Sequence, residues 1–300
     1  MVLNKQAIEL LEENQVERAF SIFKRLAMTS PNVQTMNNLA WFYLNIEEDY
    51  EMAKTYLNEV IKLKPHSPFP FAMLGEIYLR EEQFELAEQF LKRSIKIEET
   101  TSAFYNLAIT YLNMQNLSEA AGCLKKIQDE DNDYKIVLAT VRILLGQKEA
   151  AKRTLDALEI QEEDFRIAAS MADLYVELEQ YERAIELYLM DCEPMDLTVY
   201  ELYNVAYCYM QIGKLEKANA LIEQKKSVIH REYMEAKNAK LSDDYSKEEM
   251  EEHLDYIAYQ MNILELAALQ SKPTLHKDFS PASGCQLFGC DNHGHSNYEQ

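Results

Sequence analysis

Glycine and proline are scarce in this chain of 300 residues, at seven each, and there is a single tryptophan, Trp41. So few chain breakers exclude a collagen-like or Pro/Gly-rich disordered chain, and with 47% apolar residues the sequence can bury a substantial core. Basic residues are also in short supply: 30 Lys and Arg face 51 Asp and Glu, a formal charge of −21. That field repels phosphate backbones and anionic membrane surfaces, so nucleic acid is not an expected partner. Long apolar runs are missing too. The best stretch, Ile136 to Leu145, falls short of the ~18 residues a membrane span needs and carries Arg142, so no membrane insertion is expected. Cysteines number five, an odd count, and Met1 to Gln6 hold no apolar signal core. Both features point away from a disulfide-stapled secreted protein and toward the cytoplasm.

What is there is repetition. Small residues followed one helical turn later by Tyr or another large side chain recur at Ala7, Ala40, Gly75, Ala108, Ala139, Ala172 and Ala206, separated by 33, 35, 33, 31, 33 and 34 residues. A second small-residue series runs in step at Ala19, Ala53, Ala87, Ala120, Ala151, Ala184 and Ala218, each 12 residues after its partner except Ala53, which is 13 after Ala40. Between the two series lie short polar turns such as Asn113 to Asn116 and Glu179 to Tyr181, and Pro31 and Pro65 stand where a second helix would end. The pattern predicts antiparallel helix pairs. One small residue lets the two helices approach, the large residue fills the space beside it, and the second small residue receives the next pair.

This arrangement resembles the tetratricopeptide repeat, a 34-residue helical hairpin with small residues at its eighth and twentieth positions and a Tyr or similar at its eleventh. Seven units over residues 1 to 225 keep both small positions. The fifth has Arg142 in place of the usual Tyr, and the closing Pro is missing after the third, fourth and fifth, which puts local packing in question near residues 129 to 160. The fold expected is an all-α, right-handed solenoid of seven hairpins. Residues 226 to 271 should form extended and capping helices, since Ser246 and Glu249 make a capping box after a break at Ser242, Asp243 and Asp244, and Met250, Leu254, Ile257, Met261 and Leu264 then repeat at helical steps. From Lys272 the helical period disappears, and residues 272 to 300 read as a separate, flexible tail.

The repeats hold no Gly-rich phosphate loop, no His pair around a Glu and no nucleophile elbow, so binding and not catalysis is expected of them. Stacked hairpins of this kind line an inner face with their first helices, a surface suited to an extended peptide or a partner helix. Two residues before the first small position stand Asn38, Asn106 and Asn204. Their amides can pair with a peptide main chain whatever its sequence, as this position often does in the family, or can satisfy a neighbouring helix instead. Trp41, Tyr105, Tyr203, Tyr207 and Met210 lie around them as candidate anchors, whereas Tyr43, Tyr78, Tyr111, Tyr175 and Tyr209 fall at the hairpin core. Glu76, Asp173 and Glu177 share the predicted face, which favours a basic or amphipathic ligand. Some family members hold acidic chaperone tails with a clamp that includes Lys. The corresponding positions here are Asn4, Asn37, Ala72, Tyr105, Ile136, Ala169 and Tyr203, so that reading falls.

The tail concentrates Cys285, Cys290, His293 and His295, a ligand set suited to Zn²⁺ or another transition metal, although the spacing is a poor match to a zinc finger. Three other readings stay open: a simple disordered tail, a redox-active Cys285–Cys290 pair, or a peptide segment modified by a partner enzyme.

Overall fold

Every residue of the two small series is buried, and each pair marks the contact of one helical hairpin. The computed structural model describes residues 2–127, 131–160, 164–190, 192–239, 246–275, 277 and 279–290. Among these residues there are fifteen α-helices and no strand. The hairpins are α1 (Val2–Glu12) with α2 (Val16–Thr29), α3 (Val33–Asn45) with α4 (Tyr50–Lys62), α5 (Phe69–Arg80) with α6 (Phe84–Ile97), and α7 (Thr101–Asn113) with α8 (Leu117–Leu124). Then come α9 (Asn132–Leu144) with α10 (Lys148–Asp156), α11 (Phe165–Glu177) with α12 (Tyr181–Tyr188), and α13 (Val199–Gln211) with α14 (Leu215–Asn238); α15 (Lys247–Ala268) follows. This is the all-α repeat solenoid that the spacing predicts.

The chain divides into two compact units. The first holds residues 1–130 together with the tail from Phe279; the second holds residues 131–278. In the first, α3 packs on α5 and α5 on α7, so the leading helices stand side by side; in the second, α9, α11 and α13 do the same. One close junction is at Gly75. A Cβ there would lie 2.5 Å from Leu91 Cγ and 3.2 Å from the Leu91 backbone nitrogen, and Leu91 is fully buried. Gly75→Ala should therefore destabilise the first unit by about 1–3 kcal/mol, read as a lower urea midpoint, because backbone as well as side chain must give way. An unchanged midpoint would mean that the hairpin opens freely.

Five of the seven hairpins turn on a non-glycine residue in the left-handed region, Asn14, Glu48, Glu82, Gln115 and Glu179, while Gly146 and Gly213 serve the other two. After each left-handed residue the chain closes back on the first helix, as in Gln83 N–H to Tyr78 O at 2.8 Å and Asn116 N–H to Tyr111 O at 2.8 Å. In the fifth hairpin Arg142 does the work of the usual Tyr. Its guanidinium reaches across to α10 and donates to Ala150 O and Thr154 Oγ1, so the departure from the pattern is accommodated by hydrogen bonds in place of a ring.

The second helix of the last hairpin runs on past residue 225 as the extended helix that the sequence suggests, α14 continuing unbroken to Asn238. The capping box of α15 is present, with Ser246 Oγ accepting from Glu249 N–H at 3.2 Å and the Glu249 carboxylate accepting from Ser246 N–H at 2.7 Å. Helix α15 packs on α13 and α14 and so covers the last hairpin; the break expected at Ser242 to Asp244 lies outside the described residues. The tail is not a separate unit. Residues 279–290 lie in the first unit, where Gln286, Leu287, Phe288 and Cys290 are buried. Among the described residues no helix is long and apolar enough to cross a membrane.

Candidate functional site

The tail crosses the leading helices of the first unit in the reverse order of the repeats: α7, then α5, then α3, then α1. At α7, Asn106 holds Ala282 in both directions, Nδ2 donating to the Ala282 carbonyl at 3.0 Å and Oδ1 accepting from the Ala282 N–H at 2.7 Å. Gly284 passes so close to this helix that a Cβ would lie 3.2 Å from Ser102 Oγ. At α5, Ser283 Oγ donates to Glu76 Oε1 and accepts from Arg80 at 3.2 Å. At α3, Asn37 Nδ2 donates to Gln286 O at 2.8 Å, and Asn38 makes the second two-way pair, its Nδ2 donating to Phe288 O at 2.9 Å and its Oδ1 accepting from Phe288 N–H at 2.8 Å. At α1, Asn4 Nδ2 donates to the same Phe288 carbonyl at 2.7 Å, and Asn4 Oδ1 accepts from Asn38 Nδ2 at 2.8 Å.

These amides replace a sheet or helix ladder for a segment that forms neither. A buried main-chain group left unpaired costs about as much as a lost hydrogen bond, so the Asn side chains are what permit an irregular strand to be buried. Phe288, 1% exposed, is the apolar anchor; its ring meets Phe69 edge-on with centroids 5.1 Å apart. The chain then turns, with Cys290 N–H to Leu287 O at 3.4 Å and Gly289 at φ +85°. A Cβ at Gly289 would also press to 3.1 Å from Asn4 Nδ2, so both conformation and space call for glycine there.

The fit has gaps. Asn37 Oδ1, Gln286 Oε1, Trp41 Nε1 and Glu76 Oε2 are buried without a hydrogen-bond partner. Such an atom costs about 1–3 kcal/mol relative to a satisfied one. Glu76 is fully enclosed, and burial pushes its carboxyl up, while Ser283 and the Arg80 guanidinium at 2.9 Å hold it down.

The residues singled out in the second unit do something else. The Asn204 amide donates to Asp173 Oδ1 at 2.8 Å and to the Tyr188 hydroxyl at 2.7 Å, and Tyr188 also donates to Asp173, so this Asn satisfies a neighbouring helix. Glu177 is ion-paired with Lys272 at 2.7 Å. Tyr203 donates to Ser271 O at 2.9 Å, Tyr207 packs edge-on against Tyr181 at 6.1 Å, and Met210 is half-buried. Tyr105 is buried in α7 and Trp41 half-buried in α3. The three acids read as an attraction for a basic ligand are thus each already engaged: Glu76 by Arg80 and Ser283, Asp173 by Tyr188 and Asn204, Glu177 by Lys272. Sequence reasoning passed over Asn4, Asn37 and Phe69, and took Asn4 and Asn37 only as missing lysines.

Cys285 and Cys290 lie near one another at the turn, the first half-buried and the second buried, and all five cysteines are unbridged. His293 and His295 lie outside the described residues, and among the described residues no group of three or more His, Cys, Asp or Glu could hold a metal ion.

Family models for the tetratricopeptide repeat match residues 33–67, 71–101 and 102–131. Solved structures share the fold. A tetratricopeptide repeat protein from Parabacteroides merdae is 17% identical over 85% of this chain and 97% of its own, with a TM-score of 0.56. The apo form of the quorum sensor NprR from B. thuringiensis is 16% identical over 89% and 95%, with a TM-score of 0.55. Pseudomonas aeruginosa pilF is 18% identical over 65% and 91%, with a TM-score of 0.53. No curated protein matches the sequence. Residues 33–131 thus carry three consecutive tetratricopeptide repeats, set among seven hairpins built on the same paired small residues.

Proposed function

We propose that the protein is an interaction adaptor whose first unit takes an extended peptide by its main chain. One observation carries this reading: the two-way amide pairs that Asn38 and Asn106 make with the backbone of Phe288 and Ala282. Each uses only peptide N–H and C=O groups, so it would serve any chain of the right shape, and side-chain pockets would then supply selectivity. The peptide chemistry favoured is uncharged and anchored by an aromatic ring, in place of the basic ligand suggested by the charge balance. Residues 279–290 carry no charged side chain, and the Glu76 carboxylate in the groove is balanced by Arg80. A cytoplasmic setting suits a protein whose five cysteines are all thiols.

The test uses the full chain with Phe288→Asp, which loosens the tail, and a fluorescent peptide spanning residues 279–290 with Cys285→Ser and Cys290→Ser. Saturable binding is expected, weakened about fivefold to tenfold by Asn38→Ala or by Asn106→Ala, since each removes a pair of hydrogen bonds worth ~1 kcal/mol net. Binding that neither substitution affects would end this reading.

A further inference from the structure

The groove is occupied by the protein's own chain, and three features of that occupancy are those of a removable ligand. First, the tail contributes no regular element: residues 279–290 are held by side-chain amides, by Ser283 between Glu76 and Arg80, and by the burial of Leu287, Phe288 and Cys290, and the described residues between them and the second unit's last helix, 269–275 and 277, are not helical. Second, the hydrogen bonding is incomplete. Of the four amides facing the tail main chain, Asn38 and Asn106 pair both ways, whereas Asn4 and Asn37 only donate to it, and Asn37 Oδ1 and Gln286 Oε1 are buried without partners. Another peptide could satisfy these atoms better. Third, the hydroxyl of Ser283 sits between Glu76 and Arg80 although Ser283 itself is exposed, so this contact can exchange without opening the core.

We infer that residues 282–290 are a tethered competitor for the peptide groove of the first unit, and that the partner is an extended, uncharged segment carrying a Phe-Gly pair, which enters only by displacing them. The inference rests on the peptide-binding reading above and adds who is bound and what must leave. The Phe-Gly requirement comes from the geometry of the occupant. The ring fills the site beside Phe69, and the next residue must take φ near +85° with its Cα pressed toward Asn4. Charge is disfavoured because the groove's single enclosed carboxylate already has its guanidinium. Tethering sets the size of the effect. A short flexible linker presents its ligand at an effective concentration of ~1 mM, so a free peptide with a dissociation constant of ~100 μM or below loses about tenfold or more in apparent affinity.

Two readouts on the full-length protein test this. In the first, the fluorescent peptide of residues 279–290 with both cysteines replaced by Ser is titrated into the unaltered protein, into Phe288→Asp and into Ala282→Pro, which removes the N–H that Asn106 accepts and spares the core. Both variants should bind about tenfold more tightly than the unaltered protein, with helical circular dichroism retained. In the second, iodoacetamide labelling of Cys285 in the unaltered protein should accelerate when the unlabelled peptide is added, because displacement exposes the thiol. Equal affinity for all three proteins would overturn the inference while leaving the groove reading intact; binding to none of them would overturn both. Tighter binding of a probe with Gln286→Lys, or undiminished binding of one with Phe288→Ala, would overturn the partner's chemistry. A dimer by light scattering that Phe288→Asp dissolves would overturn a competitor acting within one chain, since the tail would then be a link between two copies.

Discussion

Phe288→Asp should free the tail of the unaltered sequence almost completely. The ring is 1% exposed, and transferring a Phe side chain from that setting to water forfeits about 2–3 kcal/mol. A carboxylate in its place would be set against the Phe69 ring and the amides of Asn4 and Asn38. An unpaired buried charge costs several kcal/mol more, which exceeds what the remaining amide pairs can return at ~1 kcal/mol each. The helices should survive, because all seven hairpins keep their paired small residues. The expected result is an unchanged helical signal, a lower melting temperature, since the first unit loses the burial of Leu287, Phe288 and Cys290, and rapid protease cleavage within residues 279–290. A tail that stays protected would mean that Phe288 is incidental to its docking.

How far the sequence foretells this depends on what holds each part. The hairpins are legible because their determinants are local and repeated: Ala40 with Ala53 or Ala172 with Ala184 recur at one spacing, and every such residue ends fully buried. Asn38 and Asn106 are legible for a related reason, since the helical period alone sends the position two before the small residue to the inner face. The same rule cannot tell Asn106 from Asn204. That difference lies in neighbours 16 and 31 residues away, Tyr188 and Asp173, which capture the Asn204 amide in the second unit.

The tail is the opposite case. Its conformation is imposed by partners 176 to 284 residues distant in sequence, from Asn106 to Asn4, so no period along residues 279–290 records it. A trace remains: Leu287 and Phe288 form an adjacent apolar pair followed by a glycine, in a segment without charge. Such a pair is unusual in a solvated tail and normal in a docked one. Of the four residues read as metal ligands, Cys285 is half-buried and Cys290 packs into the first unit's core, while His293 and His295 lie outside the described residues.

Cys285 offers a pH-dependent measure of the docked state. Burial pushes its thiol from the ordinary 9.0 up to about 11; the Leu287 backbone pulls the other way, and the Cys290 thiol and Glu12 push further up. Alkylation proceeds through the thiolate, so the rate at a given pH follows the ionised fraction. Well below both values, a difference of two pH units makes that fraction about a hundredfold smaller in the docked tail than in a freed one. In the unaltered protein the iodoacetamide rate at Cys285 should therefore climb about tenfold per pH unit from pH 7 and keep climbing past pH 9, whereas in Phe288→Asp it should level off near pH 9. The linkage has a definite sign. A thiol whose value is raised by docking favours the docked state at pH below the free value and loses that contribution as pH rises through the docked one, so docking should weaken between pH 9 and about 11. Because a single proton is involved, the climb in the unaltered protein stays at or below tenfold per unit and levels off at a higher pH than in Phe288→Asp. Identical profiles for the two proteins would show Cys285 to be as solvated in the groove as out of it.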